Sequence, residues 1–275
     1  MSITKISLRS FRNHNHREVD FCKGLTLVWG ENGSGKTSLL EAISLLSFGK
    51  SFRTHKPKDL IKDGEHFFAI NGKFKLGGYE DKVNAQYDRD GNQKIKLNGK
   101  LISGRKELLG RNNVVILSPE EEQITKGPPR ERRQFFDKVF SIVKLDYLEV
   151  LQKYNRILRQ RNSALIQLKE NKNLNYDLSQ WSDQLVTYGY KLWKLRIQLF
   201  KRFRVSLKEI ISNYDDRINI KIIYNSRQTE LDDYKQRVLE LERSDIKYGR
   251  TTYGPHRDNI KIELYNKDLR LYGSQ

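Results

Sequence analysis

The chain has 275 residues, and its 52 lysines and arginines against 34 aspartates and glutamates give a net charge of +18. This excess of positive charge predicts a polyanionic partner, either nucleic acid or an anionic membrane surface. Its 14 tyrosines, 12 phenylalanines and 3 tryptophans argue against disorder, and no uncharged apolar run approaches the roughly 20 residues of a membrane-spanning helix. The single cysteine, Cys22, excludes an internal disulfide and most cysteine-based zinc sites, so a reducing cytoplasm is the expected compartment.

The first hundred residues are predicted to be rich in β-strands, with one early helix. Apolar and polar residues mix in a strand-like way over residues 3–8, and the nearly continuous apolar run at residues 24–29 predicts a buried strand. A helix is expected over residues 36–48, with Gly49 as its stop. Its inner face is predicted to carry Leu39, Leu40, Ile43 and Leu46.

Short alternating segments follow from residue 67 to residue 102. Asp90-Gly91 and Asn98-Gly99 are dipeptides typical of hairpin turns, so this stretch predicts an antiparallel meander. Residues 113–117 are predicted to form another apolar strand, and Pro128-Pro129 closes the section.

The period becomes helical between Pro129 and about Arg217. Two consecutive heptad-like seams, separated by the polar segment 170–175, predict two antiparallel helices that pack like a short coiled coil. Arg161 and Arg202 fall on seam positions, where they are expected to weaken the packing. The first seam consists of Leu151, Tyr154, Leu158, Leu165 and Leu168, and the second of Leu178, Trp181, Leu185, Tyr188, Leu192, Leu195 and Leu199.

Strand-like sequence returns at residues 218–222 and 260–264, and residues 266–268 resemble a turn. The order of β-rich, helical and again β-rich sequence predicts a helical arm inserted between two parts of one α/β head. The predicted boundaries place the N-terminal part of the head at 1–127, the arm at 128–245 and the return to the head at 246–275.

The strongest motif matches the pattern G-x-x-x-x-G-K-[ST] between a predicted strand and a predicted helix. Its glycines would let successive backbone N–H groups face phosphate oxygens, its lysine would bridge the β- and γ-phosphates, and its threonine hydroxyl would coordinate Mg²⁺. The alternative is a glycine-rich turn that matches by chance. The predicted ATP-binding residues are Gly30, Glu31, Asn32, Gly33, Ser34, Gly35, Lys36 and Thr37.

A phosphate loop does not reveal how the energy of the nucleotide is used. It serves small-molecule kinases, GTPases, transporter ATPase subunits and DNA-repair ATPases alike. The sequence has no run of four apolar residues ending in Asp or Asp-Glu. Glu120, Glu121 and Glu122 are either a catalytic cluster or a solvated acidic turn. The residues therefore predict nucleotide binding without predicting hydrolysis.

Several short segments stand in a specific order around the loop. The opening is Leu8-Arg9-Ser10-Phe11-Arg12-Asn13, and Gly49-Lys50-Ser51-Phe52-Arg53 follows the predicted helix. Then come Leu117-Ser118-Pro119-Glu120, Gly127-Pro128, Arg132-Arg133-Gln134-Phe135-Phe136-Asp137, Arg159-Gln160-Arg161-Asn162 and Tyr253-Gly254-Pro255-His256-Arg257-Asp258. In this order they resemble the RecF family of bacterial recombination mediators over essentially the whole chain.

The resemblance implies a P-loop head of the kind shared by ABC and SMC-type ATPases, with an antiparallel β subdomain and an inserted helical arm, or lobe II. It also implies ATP and Mg²⁺ as cofactors, and ATP-dependent homodimerisation on single- or double-stranded DNA at gaps and stalled forks. Such a protein would help RecO and RecR to load recombinase in repair, recombination, replication and the SOS response to DNA damage. It would be cytoplasmic and nucleoid-associated, with no membrane partner.

In the family, the pair equivalent to Ser274-Gln275 begins the signature motif, so Ser274 is expected to contact the ATP of the partner subunit. The Mg²⁺-binding Asp, the catalytic Glu and the switch His are expected beyond Gln275. The resemblance therefore implies that this chain is a fragment, that the intact protein is a slow ATPase, and that these 275 residues hydrolyse little ATP.

Further basic residues are candidates for nucleotide or DNA contacts. Arg12 and Asn13 are expected near the base and ribose, or are exposed turn residues, and Arg53 reaches phosphate or DNA, or is an ordinary surface arginine. A cluster at a helix start opposes the helix dipole, which favours DNA phosphate or a partner carboxylate over solvation alone. It consists of Arg130, Arg132 and Arg133.

Residues 191–208 carry seven cations and no acidic residue, so this helix is predicted to contact the DNA backbone, chiefly through Lys201, Arg202 and Arg204. The alternative is a solvated helix face. The segment 253–257 has no predicted role beyond a turn. Two other functions stay open: a phosphotransferase acting on a small acceptor and a transporter ATPase, although neither explains the basic arm.

Overall fold

The computed structural model describes residues 2–117, 123–171 and 177–272. The chain has a mixed α/β fold that divides into two compact units, Met1–Leu117 and Ser118–Gln275. Of residues 246–275, predicted to return to the head, those described, 246–272, cluster with the helical residues in the second unit. Among the helices described, none combines the length and apolarity that crossing a membrane would require.

The first unit is built on a six-stranded antiparallel sheet in the order β2-β1-β3-β4-β5-β6. The strand-like stretch near the N-terminus and the predicted meander are both confirmed, with tight turns at Asp90-Gly91 and Asn98-Gly99. The strands are β1 (Ser2–Phe11), β2 (His14–Asp20), β3 (Phe67–Leu76), β4 (Tyr79–Asp88), β5 (Gln93–Leu97) and β6 (Lys100–Leu101).

Helix α1 (Lys36–Phe48) has the predicted bounds, and Gly49 ends it in a left-handed conformation. It packs against the sheet over the core residues Leu8, Ile70 and Val83. Burial extends around most of the helix, because Ala42 and Leu45 are buried as well as Leu39, Ile43 and Leu46. Leu40, predicted on the inner face, is instead 53% exposed.

The two predicted apolar strands at 24–29 and 113–117 are wrong. Both segments lack regular secondary structure and join no ladder within the part of the chain that the structure describes. Trp29 is 84% exposed, and Val115 and Leu117 are exposed as well. An apolar run becomes a strand only when a neighbour satisfies its backbone N–H and C=O groups, and sequence alone does not name that neighbour.

The second unit is mainly helical. The predicted pair of long antiparallel helices is confirmed as α4 and α5, while the turn between them at 172–176 lies outside the described residues. The helices are α2 (Gln123–Lys126), α3 (Pro129–Val143), α4 (Leu145–Glu170), α5 (Ser179–Tyr214), α6 (Leu231–Glu240), α7 (Glu242–Tyr248) and α8 (Leu269–Tyr272). A three-stranded sheet contains β7 (Ile220–Asn225), β8 (Asn259–Leu264) and β9 (Lys267–Asp268).

Aromatic and leucine side chains fill the core of this unit. Leu185, Leu192 and Leu199 of the second seam are buried, as is Tyr154 of the first. Phe136 and Phe200 pack with their ring centroids 4.8 Å apart. Helices α6 and α7, which sequence analysis did not predict, lie over this region.

The seam arginine Arg161, predicted to weaken the packing, has polar partners outside the seam. It is fully buried, and its Nη1 donates to Asp245 Oδ2 and to Thr251 Oγ1, both at 2.7 Å. A buried guanidinium with a carboxylate and a hydroxyl as partners connects α4 to α7 instead of separating the seam. Arg202, the other seam arginine, is exposed.

Candidate functional site

The phosphate loop joins the irregular segment at residues 24–29 to helix α1. Gly30, Gly33 and Gly35 all have positive φ, at 146°, 84° and 95°. Helix α1 begins at Lys36, so its first N–H groups lie at the end of the loop. A helix N-terminus combined with a glycine-rich backbone is a favourable environment for phosphate.

The turn between β1 and β2 packs directly against this loop. Asn13 Nδ2 donates to the carbonyl oxygen of Gly33 at 2.8 Å, and His14 Nε2 contacts that of Gly35 at 3.3 Å. A Cβ placed on Gly35 would overlap the His14 ring and lie 2.7 Å from Asn13 Oδ1. Gly35 therefore permits both the left-handed backbone and the close approach of this turn.

A cavity of about 780 Å³ opens beside the loop. It brings together most of the residues predicted to contact the nucleotide. Lys36 Nζ donates to the carbonyl oxygens of Gly30 and Glu31 at 2.7 Å, and the side chain of Thr37 is exposed. The lining includes Arg12, Asn13, Asn32, Gly33, Gly35, Lys36, Thr37 and Arg53, together with Asp59 and Asp63.

Glu41 is a fully buried carboxylate beneath this cavity, and sequence analysis missed its role. Arg12 donates to it through Nε at 2.9 Å and Nη2 at 2.8 Å, and through Nη1 to the carbonyl oxygen of Asp59 at 2.8 Å. The hydrogen bond to Glu41 raises the pKa of Arg12. The guanidinium is therefore fixed at the cavity wall. The signal in the sequence that could have revealed this role was Glu41 itself, a charged residue among the apolar residues of the predicted helix.

Ser51 links the segment after α1 to the same carboxylate. Its hydroxyl donates to Glu41 and accepts the backbone N–H groups of Arg53 at 2.9 Å and Thr54 at 3.1 Å. The half-exposed Arg53 has Nη1 3.8 Å from Glu41 Oε2. This arrangement places Arg53 at the cavity beside the phosphate loop.

The three arginines at the start of α3 separate into different environments. Arg130 is exposed, whereas Arg132 is buried and donates to the carbonyl oxygens of Ile260 at 2.6 Å and Gly127 at 2.8 Å. The DNA contact predicted for Arg132 is wrong, because its guanidinium already satisfies buried carbonyls. Arg133 is partly buried and donates to the carbonyl oxygen of Asp258 at 2.7 Å.

Six of the seven cations at residues 191–208 are exposed on α5, including Lys201, Arg202 and Arg204. Arg196 is the exception and is 3% exposed. Its Nη2 donates to Asp137 Oδ1 at 2.8 Å and Oδ2 at 2.9 Å, and its Nη1 donates to the carbonyl oxygen of Pro255 at 2.7 Å. The exposed cations form a basic face on α5.

The segment 253–258 completes this buried network. Asp258 is fully buried and accepts from Trp193 Nε1 at 2.7 Å and from the Tyr224 hydroxyl. His256 Nε2 donates to the carbonyl oxygen of Thr251 at 3.1 Å, so its Nδ1 accepts from the Tyr154 hydroxyl at 2.6 Å. Burial lowers the pKa of His256 to about 4. Sequence analysis gave this motif no role beyond a turn.

Some predicted site residues lie outside the described residues, namely Ser274 and the three glutamates at 120–122. Among the side chains that are described, no group of three or more His, Cys, Asp or Glu residues is placed to hold a metal ion.

Comparison with known proteins identifies relatives over the whole chain. The AAA domain family model matches residues 5–267. The DNA replication and repair protein RecF of Thermoanaerobacter sp. (strain X514) is 35% identical over all of this chain and 78% of its own length. The RecF of Chlorobium limicola is 32% identical over all of this chain and 79% of its own length.

Solved structures show the same fold. A structure described as the recombination mediator protein RecF-ATPrS in the RecFOR pathway matches with a TM-score of 0.90 and 33% identity, over all of this chain and 76% of that one. The corresponding RecF-ATP structure matches with a TM-score of 0.87 and 33% identity, over 99% of this chain and 76% of that one.

Proposed function

The chain belongs to the RecF family of DNA replication and repair proteins, and on this premise we propose that it binds DNA in an ATP-dependent manner during recombinational repair. The observation that carries the proposal is the phosphate loop, of which Gly33, Gly35 and Lys36 at the start of helix α1 line one cavity. Structures of relatives in this family have been described with ATP.

The residues around the cavity fit a nucleoside triphosphate with Mg²⁺. The backbone N–H groups at residues 33–37 would bind phosphate oxygens, Lys36 would place its ammonium between the β- and γ-phosphates, and Thr37 would offer a hydroxyl to the metal. Bound Mg²⁺ would neutralise phosphate charge. Arg53 adds a cation at the mouth, and Arg12 supports the wall through Glu41.

DNA is the partner that the charge of the chain supports. The basic face of α5 and the net charge of +18 favour contacts with phosphates, which fix a protein on the duplex without reading bases. We infer an ATP-dependent homodimer on gapped DNA that acts with RecO and RecR, as the RecFOR assignment of the matching structures suggests.

Binding of the chain to a labelled gapped duplex would test this proposal. The anisotropy of the duplex and the sedimentation of the complex are measured with ATP, with ADP and without nucleotide. We expect tighter binding and a dimeric complex with ATP only, and loss of both effects in K36A. If the DNA affinity and the mass of the protein–DNA complex are equal in all three conditions, an ATP-controlled clamp is contradicted.

A further inference from the structure

Four arginines converge on the turn between α7 and β8. Two belong to the turn itself, Arg250 and Arg257, while Arg133 comes from α3 and Arg227 follows β7. Arg133 donates to the carbonyl oxygen of Asp258 at 2.7 Å, and Arg257 Nη2 donates to that of Thr251 at 3.1 Å.

The position of Arg227 is also fixed by this turn. Its backbone N–H donates to Asp258 Oδ1 at 3.1 Å, and its carbonyl oxygen accepts from the Tyr253 hydroxyl at 2.6 Å. We call these four residues, Arg133, Arg227, Arg250 and Arg257, the arginine turn.

The nearby carboxylates are already engaged. Asp245 accepts from Arg161 Nη1 at 2.7 Å and from the backbone N–H of Thr252 at 2.9 Å. Asp258 is held by Trp193 and Tyr224, with Arg196 Nη1 at 3.7 Å. Both aspartates are at most 1% exposed. Their ion-pair partners are Arg161 and Arg196.

The arginine turn therefore has no carboxylate of its own in the part of the chain that the structure describes. Within the described residues, none of its four side chains forms an ion pair with a carboxylate. Arg227 and Arg250 are exposed, whereas Arg257 Nε is buried without a hydrogen-bond partner. A buried N–H donor that is left unpaired costs free energy.

The titration behaviour of the cluster agrees with its geometry. The pKa of Arg257 is lowered first by burial and then by the charges of Arg250 and Arg227. The pKa of Arg133 is lowered by burial and then by Arg196, while Asp137 and Asp258 oppose the shift and Arg257 adds a smaller lowering. Cations that repel one another in this way are relieved by an anion.

We propose that the arginine turn is a binding site for the phosphate backbone of DNA, distinct from the basic face of α5. This inference rests on the proposed DNA-binding function. Guanidinium groups suit phosphate because their planar N–H forks donate two hydrogen bonds to one anion. The two exposed arginines reach the phosphate from solvent, and Arg257 and Arg133 hold it against the turn. The site recognises the backbone and not the bases.

The test variant is R227Q/R250Q in the full chain, because both side chains are exposed and the fold does not depend on them. The matched control is R156Q/R159Q, which removes the same charge from two exposed arginines of α4. Affinity for a labelled gapped duplex is measured with ATP from 50 to 300 mM KCl. Each lost phosphate contact should flatten the log–log salt dependence by roughly 0.9.

We expect the R227Q/R250Q slope to flatten by about two units and its affinity to fall up to roughly 60-fold at 0.1 M salt, while the control stays close to wild type. Equal behaviour of the two variants, in a wild-type protein that binds DNA, would overturn the site and leave the proposed function standing. Failure of the wild type to bind DNA at any salt would overturn both.

A second measurement separates DNA phosphate from a free anion. Thermal unfolding of the wild type, R227Q/R250Q and the control is followed with and without inorganic phosphate at constant ionic strength. Because the arginine turn also accepts a free anion, we expect modest stabilisation by inorganic phosphate that is lost in R227Q/R250Q, together with weaker DNA binding of that variant. Such stabilisation, with unchanged DNA binding of the variant, would assign the turn to a free phosphate ligand and contradict the proposal.

Discussion

Arg196 offers a decisive test of how the second unit is held together. In R196M the guanidinium is replaced by an apolar side chain of similar length, which leaves the carboxylates of Asp137 and Asp258 without their cation. It also removes the donor to the carbonyl oxygen of Pro255 and the 3.0 Å contact between Arg196 Nε and the Tyr147 hydroxyl. The effect is therefore expected in stability, independently of nucleotide.

The magnitude follows from burial. Arg196 is 3% exposed and Asp258 is fully buried, so removing one partner leaves charge in a poorly solvated site. We expect the free energy of unfolding to fall by about 3–5 kcal/mol, as is usual when one member of a buried ion pair is deleted. R204M, which changes an exposed arginine on the same helix, should cost no more than about 0.5 kcal/mol.

Urea unfolding monitored by tryptophan fluorescence is the appropriate assay. Trp193 is buried in the second unit, whereas Trp29 of the first unit is largely exposed, so the signal mainly reports the second unit. Burial raises the pKa of Asp258 although Arg196 opposes the shift. Without Arg196, the free-energy penalty for the charged form of Asp258 grows. The loss of unfolding free energy in R196M should therefore shrink as the pH falls and the Asp258 carboxylate protonates.

A loss below about 1 kcal/mol, or equal losses in R196M and R204M, would refute the buried network. The double variant R196M/D137N provides a further check. Its cost should be smaller than the sum of the two single costs by about 0.5–3 kcal/mol, because the two side chains act as a pair. Additive costs would show that they do not interact.

Three further outcomes are expected. K36A should abolish binding of a fluorescent ATP analogue while K94A, an exposed lysine on β5, should not; undiminished affinity in a folded K36A would reject the phosphate site. His256 has its pKa lowered to about 4, so the folded state resists protonation, and stability should fall by up to about 3 kcal/mol as the pH drops from 6.5 to 4. In H256N, chemical denaturation across this range should show a shallower pH dependence, and an unchanged one would exclude His256 as its source. Replacing Lys201, Arg202 and Arg204 of α5 with Gln should flatten the log–log salt dependence of DNA binding by about two to three units. An unchanged slope would leave the arginine turn as the main contact.

The sequence by itself determined the features that depend on neighbouring residues. The phosphate loop is a contiguous pattern, helix α1 has a start and a stop within fourteen residues, and the meander is marked by its turn dipeptides. The α4–α5 pair follows from two consecutive heptad-like registers. The hydrophobic period, the turn dipeptides and a contiguous motif can each be recognised without knowing where distant parts of the chain lie. The elements predicted from them therefore agree with the structure.

Only the tertiary structure decided which charges are buried and which apolar runs are paired. Arg196 and Arg202 lie on the same helix in a similarly basic sequence, yet carboxylates from residues 137 and 258 surround only Arg196. Glu41 is held by Arg12, 29 residues away. The run at 24–29 carries every local sign of a strand but has no neighbour in the described sheets. A partner that is distant in sequence leaves no periodic signal, because burial and pairing depend on where the folded chain brings it.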